Sequence, residues 1–467
     1  MNERPLALLP ELLLLVGAVA TLLCGSFLPR TRQGVAGLVA VAALAGSMTT
    51  ALAGRAGQTV YDHSYAIDAA TTTARIVVSA AALLIIALST GRVSGDRRQT
   101  EFYVLVLLAA LGADLLAGSS DLLVLAVGFL LATIPLYGLA GWGRDARAAE
   151  AALKLYLLGA LVGVLLLTGV ALLFAAAGAT RYDRLAAALP AASDGLVAVG
   201  AVAVLAGLLF KAGAVPVHFW VPDAADGSTI AAATVLTTIP KIGALVAAFR
   251  LLTAVPVDTG WPIFTAVVAA VTMTLGNLAA FRQTSVRRLL ACSTISQAGY
   301  LLMAVTVAAA TGRALPALLL YLTAYAIANT GAFAVAAALP GRDSLDDYQA
   351  VARRHPWLAA ALVICLLGLV GTPPTAVFAG KLTAFTAAWD GGYAWLVVIA
   401  AANTVASLFY YLRWLRPAFT GRPGAFPGEH ERDRPAATVA VLAAAATLAL
   451  GVATGPVYAA VSGTLLR

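Results

Sequence analysis

Four lysines and one histidine are the residues of this chain whose types and positions suit proton chemistry. The stretch GLLFKAGAVPVHFWVPDAADGSTIAAATVLTTIPKIGALVAAFR, from Gly207 to Arg250, carries Lys211 and Lys241 in otherwise apolar sequence. Pro216, Pro222 and Pro240 interrupt its helical pattern, and His218 follows the first break. A lysine inside a bilayer costs about 2.5–3.5 kcal/mol on insertion scales, so its presence there predicts a use. Desolvation drives a buried lysine toward neutrality, and a nearby carboxylate drives it toward charge. A relay group needs that balance near working pH, because a group that never changes state passes nothing on. Gly and Pro breaks free backbone carbonyls and admit water, which bridges lysines too far apart to touch. His218 has the unperturbed pKa closest to neutrality. These residues predict a buried proton path: Lys211 and Lys241 as the central pair, Lys381 near its far end, Lys154 as an additional input and His218 beside the break.

Plainer readings exist for each. A lysine near a helix end snorkels to the interface, and Lys154 lies seven residues after Arg147, about 10 Å by helix rise. Lys211 and Lys381, each beside a break, would also serve to tie down loose carbonyls. His218 reads equally as a loop residue. Glu11, preceded by Pro10, reads as an interfacial helix start rather than a relay group.

The elements that must position these groups are membrane helices. The chain has 467 residues, 61% hydrophobic and 11% charged, with a mean hydropathy of +0.90; a soluble domain carries about 25% charged residues. Met1 to Pro10 shows no cleavable-signal pattern, so the first apolar run is expected to be a retained helix. Runs of about 20 apolar residues give fourteen spans, near 6–28, 33–53, 73–91, 101–118, 120–141, 149–177, 193–216, 228–253, 260–281, 286–309, 314–339, 356–388, 392–415 and 435–460. The seventh and twelfth carry breakers, GAVP at 213–216 and GTPP at 371–374. With no long linker, the expectation is one all-α polytopic membrane domain. The three cysteines (Cys24, Cys292, Cys365) lack metal-like spacing and read as small packing residues.

The net charge of +8 does not indicate nucleic acid, because of how it is distributed. Of 30 basic residues, 26 are Arg, nearly all in or at the edge of polar loops, whereas Lys154, Lys211, Lys241 and Lys381 all fall in hydrophobic segments. With the N-terminus outside, the odd-numbered loops hold 18 of the 26 arginines, including Arg30, Arg32, Arg92, Arg147, Arg287, Arg342 and Arg422. By the positive-inside rule those loops are cytoplasmic and both termini are non-cytoplasmic. The broken seventh span with Lys211 recurs five spans later as the broken twelfth with Lys381. Paired discontinuous helices point to inverted repeats around a mid-membrane ion site, and an odd offset inverts the second copy. The expected organisation is helices 1–3 within residues 1–100, repeats at 101–253 and 260–415, and helix 14 at 435–460.

At these residues the chain resembles the N-subunit family of proton-pumping NADH:quinone oxidoreductase, one of its three antiporter-like membrane subunits. The matching pieces include PELLLLVGA at 10–18, SSDLLVLAVGFLLATIPLYGLAGW at 119–142, EAALKLYLLGALVG at 150–163 and GLLFKAGAVPVHFWVPDA at 207–224. They continue with IPKIGALVAAFRLL at 239–252, GNLAAFRQTSVRRLLACSTISQAGYLLM at 276–303, YAIANTGAFAVAAAL at 325–339 and GTPPTAVFAGK at 371–381. The resemblance runs from residue 6 to 417. It implies fourteen helices, two inverted five-helix repeats and a lysine path, with Lys154, Lys211, Lys241, Lys381 and His218 matching the family's pattern. It also implies a bacterial plasma-membrane location and partners in the other membrane-arm subunits and the bilayer. No redox centre, cofactor or metal is expected on this chain; quinone and redox centres belong to the partner subunits. Two positions depart from the pattern. Leu130 stands where the family reads a glutamate taken to pair with the lysines, and Gln297 where it commonly reads His. Asp114, in the fourth span, is a candidate substitute for the missing acid. Rival readings are a subunit of a cation/proton antiporter or membrane-bound hydrogenase, and a non-pumping structural spacer.

Overall fold

The computed structural model describes residues 5–29, 32–54, 57–420 and 432–466; Arg30 and Arg422 lie outside them. The helices and strands run α1 (Leu9–Phe27), α2 (Gly34–Ala53), β1 (Gln58–Val60), β2 (Tyr65–Ile67), α3 (Ala69–Val93), α4 (Gln99–Gly118), α5 (Leu122–Leu131), α6 (Ile134–Ala140) and α7 (Ala146–Ala177). They continue with α8 (Tyr182–Ala188), α9 (Asp194–Ala212), α10 (Trp220–Gly227), α11 (Ile230–Leu252), α12 (Trp261–Phe281), α13 (Val286–Thr306) and α14 (Ala314–Ala338). The last are α15 (Val351–Arg354), α16 (Pro356–Val370), α17 (Ala376–Asp390), α18 (Ala394–Phe419), α19 (Arg434–Val452) and α20 (Thr454–Val461). Among the described residues thirteen helical segments are long and apolar enough to cross a membrane, counting α5 and α6 as one. The twelfth expected span is the broken pair α16 and α17, of 15 residues each.

Polar side chains at the loop edges start these helices. Asp68, Asp121, Asp145, Thr229 and Asp433 each accept a backbone N–H of the helix that follows, satisfying donors that have no intrahelical partner. Glycine ends the two broken spans: Gly213 closes α9 at φ +72° and Gly371 closes α16 at φ +93°, the left-handed conformation that favours glycine. Both breaks then contain a cis X–Pro bond, Val215–Pro216 and Pro373–Pro374.

The fifth span differs from the expected continuous helix. Pro135 has no N–H to offer Leu131, and the helix divides at Ala132 and Thr133 into α5 and α6. The last span also divides, at Ala453. Helices α11 and α13 are buried along nearly all their length and form the centre. Small residues let neighbours approach closely: Gly276 and Gly299 set α12 against α13, and Gly112 sets α4 against Ala132. Cys292 and Cys365 are buried packing residues, and Cys24 is half-buried.

Two arginines within the expected third and eighth spans are buried. Arg75 and Arg250 are 3% and 1% exposed. Arg250 grips Asp68 with two bonds, Nη1–Oδ2 at 2.8 Å and Nη2–Oδ1 at 2.9 Å, and also donates to the carbonyls of Ala117 and Leu466. The N–H of Leu466 donates back to Asp68, so one ion pair joins α3, α4, α11 and residues near the C-terminus. Burial works against the Asp68 charge, yet Arg250 and the backbone donors hold its carboxyl below the usual range. A lowered carboxyl contributes stability at neutral pH and loses it only as pH falls through that lowered range. Removing one partner of a buried pair costs about 3–5 kcal/mol. Asp68→Asn should therefore lower the detergent thermal midpoint at neutral pH, and an unchanged midpoint would show that this ion pair does not hold the helices together.

Candidate functional site

The three central lysines are 2% (Lys211), 2% (Lys241) and 3% (Lys381) exposed. Lys211, in the last turn of α9, crosses to the divided fifth span and donates to the Ala132 carbonyl at 2.8 Å, with its Nζ 5.3 Å from the Phe129 ring centroid. Lys381, on α17, donates to the carbonyls of Leu369 and Val370 at 3.2 and 2.8 Å and sits 4.1 Å from the Tyr300 ring centroid. Each ammonium thus meets the carbonyl end of an interrupted helix, where the helix dipole favours a cation. Lys241 follows Pro240 within α11, donates to the Thr294 carbonyl of α13 at 2.6 Å and lies 5.2 Å from the Tyr325 ring centroid. Burial disfavours each charge, while carbonyl oxygens and aromatic faces favour it. Among the described residues, no carboxylate forms a salt bridge with these three lysines.

Helix α13 connects two of them. Thr294 holds Lys241, and Gln297, three residues on, donates to the Leu369 carbonyl at 2.8 Å, the same oxygen that Lys381 reaches. Tyr321 donates to Gln297 Oε1 at 2.6 Å, orienting the amide so that its N–H faces Leu369. Around Lys241 the polar lining continues through the Tyr325 hydroxyl, 3.0 Å from Thr294 Oγ1, and Asn329, which donates to Thr237 and Thr238. The structure therefore places Lys211, Lys241 and Lys381 in one packed helical core, the last two sharing a hydrogen-bonded surface.

Lys154 departs from the expected burial. Its side chain is 45% exposed and paired with Glu150 at 2.7 Å and Asp223 at 2.8 Å, the latter also bound by Arg288. Seven residues from Arg147, it lies in a charged rim rather than in the apolar core. His218 is half-buried in the break after α9, its ring 4.4 Å from that of Phe219. Asp114 is not brought to Lys211. The α4–α5 hairpin sets Gly112 beside Ala132 and Gly128 beside Leu116, so Asp114 is near the level of Leu130 but on another face. Its charged neighbours are Glu11 and Arg75, and Leu130 is 43% exposed on an outward strip with Leu123, Val127 and Ile134. Glu11, expected to mark an interfacial helix start, is 4% exposed and paired with Arg75.

The comparisons with known proteins bear on the family and the fold. The family described as NADH:quinone oxidoreductase/Mrp antiporter, TM, matches residues 119–407. The NADH-quinone oxidoreductase subunit N of Mycobacterium sp. (strain JLS) is 53% identical over 97% of this chain and 98% of its own length. The chain belongs to the antiporter-like N-subunit family of NADH-quinone oxidoreductase. Subunit N 1 of Streptomyces griseus subsp. griseus is 54% identical over 99% of both chains. A chain of respiratory complex I from Thermus thermophilus superposes with a TM-score of 0.85 at 34% identity, covering 97% of this chain and 99% of its own. A chain of the Mrp complex from Dietzia sp. DQ12-45-1b gives the same TM-score at 22% identity, covering 99% of this chain and 97% of its own, a likeness of fold. This member of the N-subunit family is accordingly a multi-pass membrane protein.

Sequence reasoning missed the partners of its lysines. Backbone carbonyls carry no residue signature, but the arginines inside the third and eighth spans were a visible sign of buried acids. The close fit at the second break makes a direct prediction. A Cβ on Gly371 would lie 2.9 Å from Lys381 Cδ, and the left-handed conformation adds about 1–2 kcal/mol. Gly371→Ala should lower the thermal midpoint of the complex, while Gly195→Ala, whose Cβ meets open space, should leave it unchanged.

Proposed function

We propose that this chain is the proton-translocating N-type subunit of a complex-I-type quinone oxidoreductase, moving protons along Lys211, Lys241 and Lys381. The observation that carries this reading is the burial of three lysine side chains, two of them at interrupted helices, held by carbonyls and aromatic faces with no carboxylate paired to them among the described residues. Without a fixed carboxylate, each lysine is balanced by groups that tolerate both its charged and its neutral form. Protonation of one disfavours protonation of the next, by about 4 kcal/mol for charges about 4 Å apart at an effective dielectric of 20, and by less as distance and water intervene. Charge arriving at one end is thereby felt along the row.

Gln297 joins Lys241 to Lys381 as a hydrogen-bond conductor, since an amide does not titrate. Lys154, with Asp223, Glu150 and Arg288 beside it, is the surface input, and His218 lines the break next to Lys211. The two broken spans, each with its lysine, are the corresponding parts of two inverted five-span repeats. Arg92, Arg147, Arg287 and Arg342, from four different loops, line one pocket of about 350 Å³. That gathering supports placing those loops together on the cytoplasmic side of a bacterial plasma membrane, with both termini opposite. Redox chemistry in the other subunits drives the relay, and neither quinone nor a redox centre resides on this chain.

In the assembled complex, Lys211→Ala and Lys241→Ala should lower the protons moved per electron pair. An assembled complex with full proton yield would make the chain a spacer, and sodium movement in vesicles would make it a cation antiporter subunit. Gln297→Leu should lower the yield as well, and Gln297→His should preserve it.

A further inference from the structure

A second buried cluster lies outside the lysine row. Glu11 of α1 and Arg75 of α3 make two bonds, Nε–Oε1 at 2.6 Å and Nη2–Oε2 at 2.8 Å. Tyr65 of β2 donates to the same Oε1 at 2.6 Å and stands 3.1 Å from the backbone carbonyl of Asp114. Glu11 is therefore fully balanced. Asp114 of α4 is not: it is 0% exposed, and neither carboxyl oxygen has a hydrogen-bond partner among the described residues. Its charged neighbours are Glu11 and Arg75; of the other helices packed on α4, α11 brings Arg250, which donates to the Ala117 carbonyl and is itself paired with Asp68. An ionised carboxylate left there without a donor costs several kcal/mol, and Glu11 beside it adds like-charge repulsion. A protonated acid avoids both.

We propose that Asp114 is a proton-holding site following the lysine row, and that the Glu11–Arg75 pair is the charge reserve that lets it release the proton. The inference rests on the lysine relay as its source. Gly112, two residues before Asp114, packs on Ala132, whose carbonyl holds Lys211; Ala113 packs on Gly243, two residues after Lys241. In loading, an ammonium N–H bond breaks and the Asp114 O–H bond forms, leaving a neutral amine. In release, that O–H bond breaks and the proton passes to water in a pocket of about 560 Å³ lined by Arg75, Pro10, Thr50 and Gln58. Arg75 then faces two carboxylates, and the net charge of Asp114, Glu11 and Arg75 changes from zero to −1. That pocket lies by the β1–β2 hairpin, at the opposite end of α4 from Arg98.

The test is infrared spectroscopy of the assembled complex in water and deuterium oxide, read at the carbonyl stretch of protonated carboxyl groups, together with proton yield per electron pair. The wild type should show such a band at neutral pH. Asp114→Asn should remove it and lower the yield, and Asp114→Glu should keep a band at a shifted frequency and recover the yield. A spectrum unchanged by Asp114→Asn, or a full proton yield in that variant, overturns the proposal. Should Asp114→Asn fail to assemble, the Asp114→Glu band decides, and an unshifted band overturns it. Lys211→Ala measured alongside separates the two claims. Loss of yield there with full yield in Asp114→Asn defeats only this proposal, whereas full yield in Lys211→Ala defeats the lysine relay itself.

Discussion

Three lysine side chains must be accommodated in the protein interior, where among the described residues no acid is paired with them. A bare ammonium in the protein interior is costly, and the usual remedy is a carboxylate. For two of the three, this chain instead divides a helix where the lysine arrives. Lys211 meets the carbonyl of Ala132 between α5 and α6, and Lys381 meets the last carbonyls of α16. The breaks and the lysines explain each other: a continuous helix would occupy those oxygens with its own N–H groups, and a break without a donor would leave them exposed to hydrocarbon. The plainer reading of such a lysine, tying down loose carbonyls, is met at both breaks.

The absence of an acid at position 130 takes on a definite meaning in this arrangement. Leu130 faces outward, while the backbone two residues later takes the ammonium. Buried acids are present, but elsewhere: Glu11 and Asp114 gather about Arg75, and Asp68 about Arg250. The Arg250–Asp68 pair ties the start of α3 to the end of α11 and to residues near the C-terminus, so the helix carrying Lys241 is anchored at one end by a fixed charge pair.

Much of this was legible in the residues. The spans follow from apolar length, and the two breaks from GAVP and GTPP, because Gly and Pro act locally. The lysines stood out because their burial is expensive wherever they fall. What could not be read were partners set by long-range packing: Glu11 finds Arg75 64 residues away, and Asp68 finds Arg250 182 residues away. The division of the fifth span was hidden because ATIPLY is apolar on both sides of its proline, and Pro135 suits the second position of a new helix as well as it interrupts an old one. Lys154 gave its own warning, since its distance from Arg147 placed it near the interface where the structure finds it.

The central claim is that Lys211, Lys241 and Lys381 belong to one hydrated, hydrogen-bonded row. The most direct measurement is a map of the assembled complex at a resolution that shows ordered water. The account predicts water between Lys211 and Lys241 and around the Thr294–Gln297 surface leading to Lys381. Continuous dry apolar packing between the lysines in every state captured during turnover would contradict it.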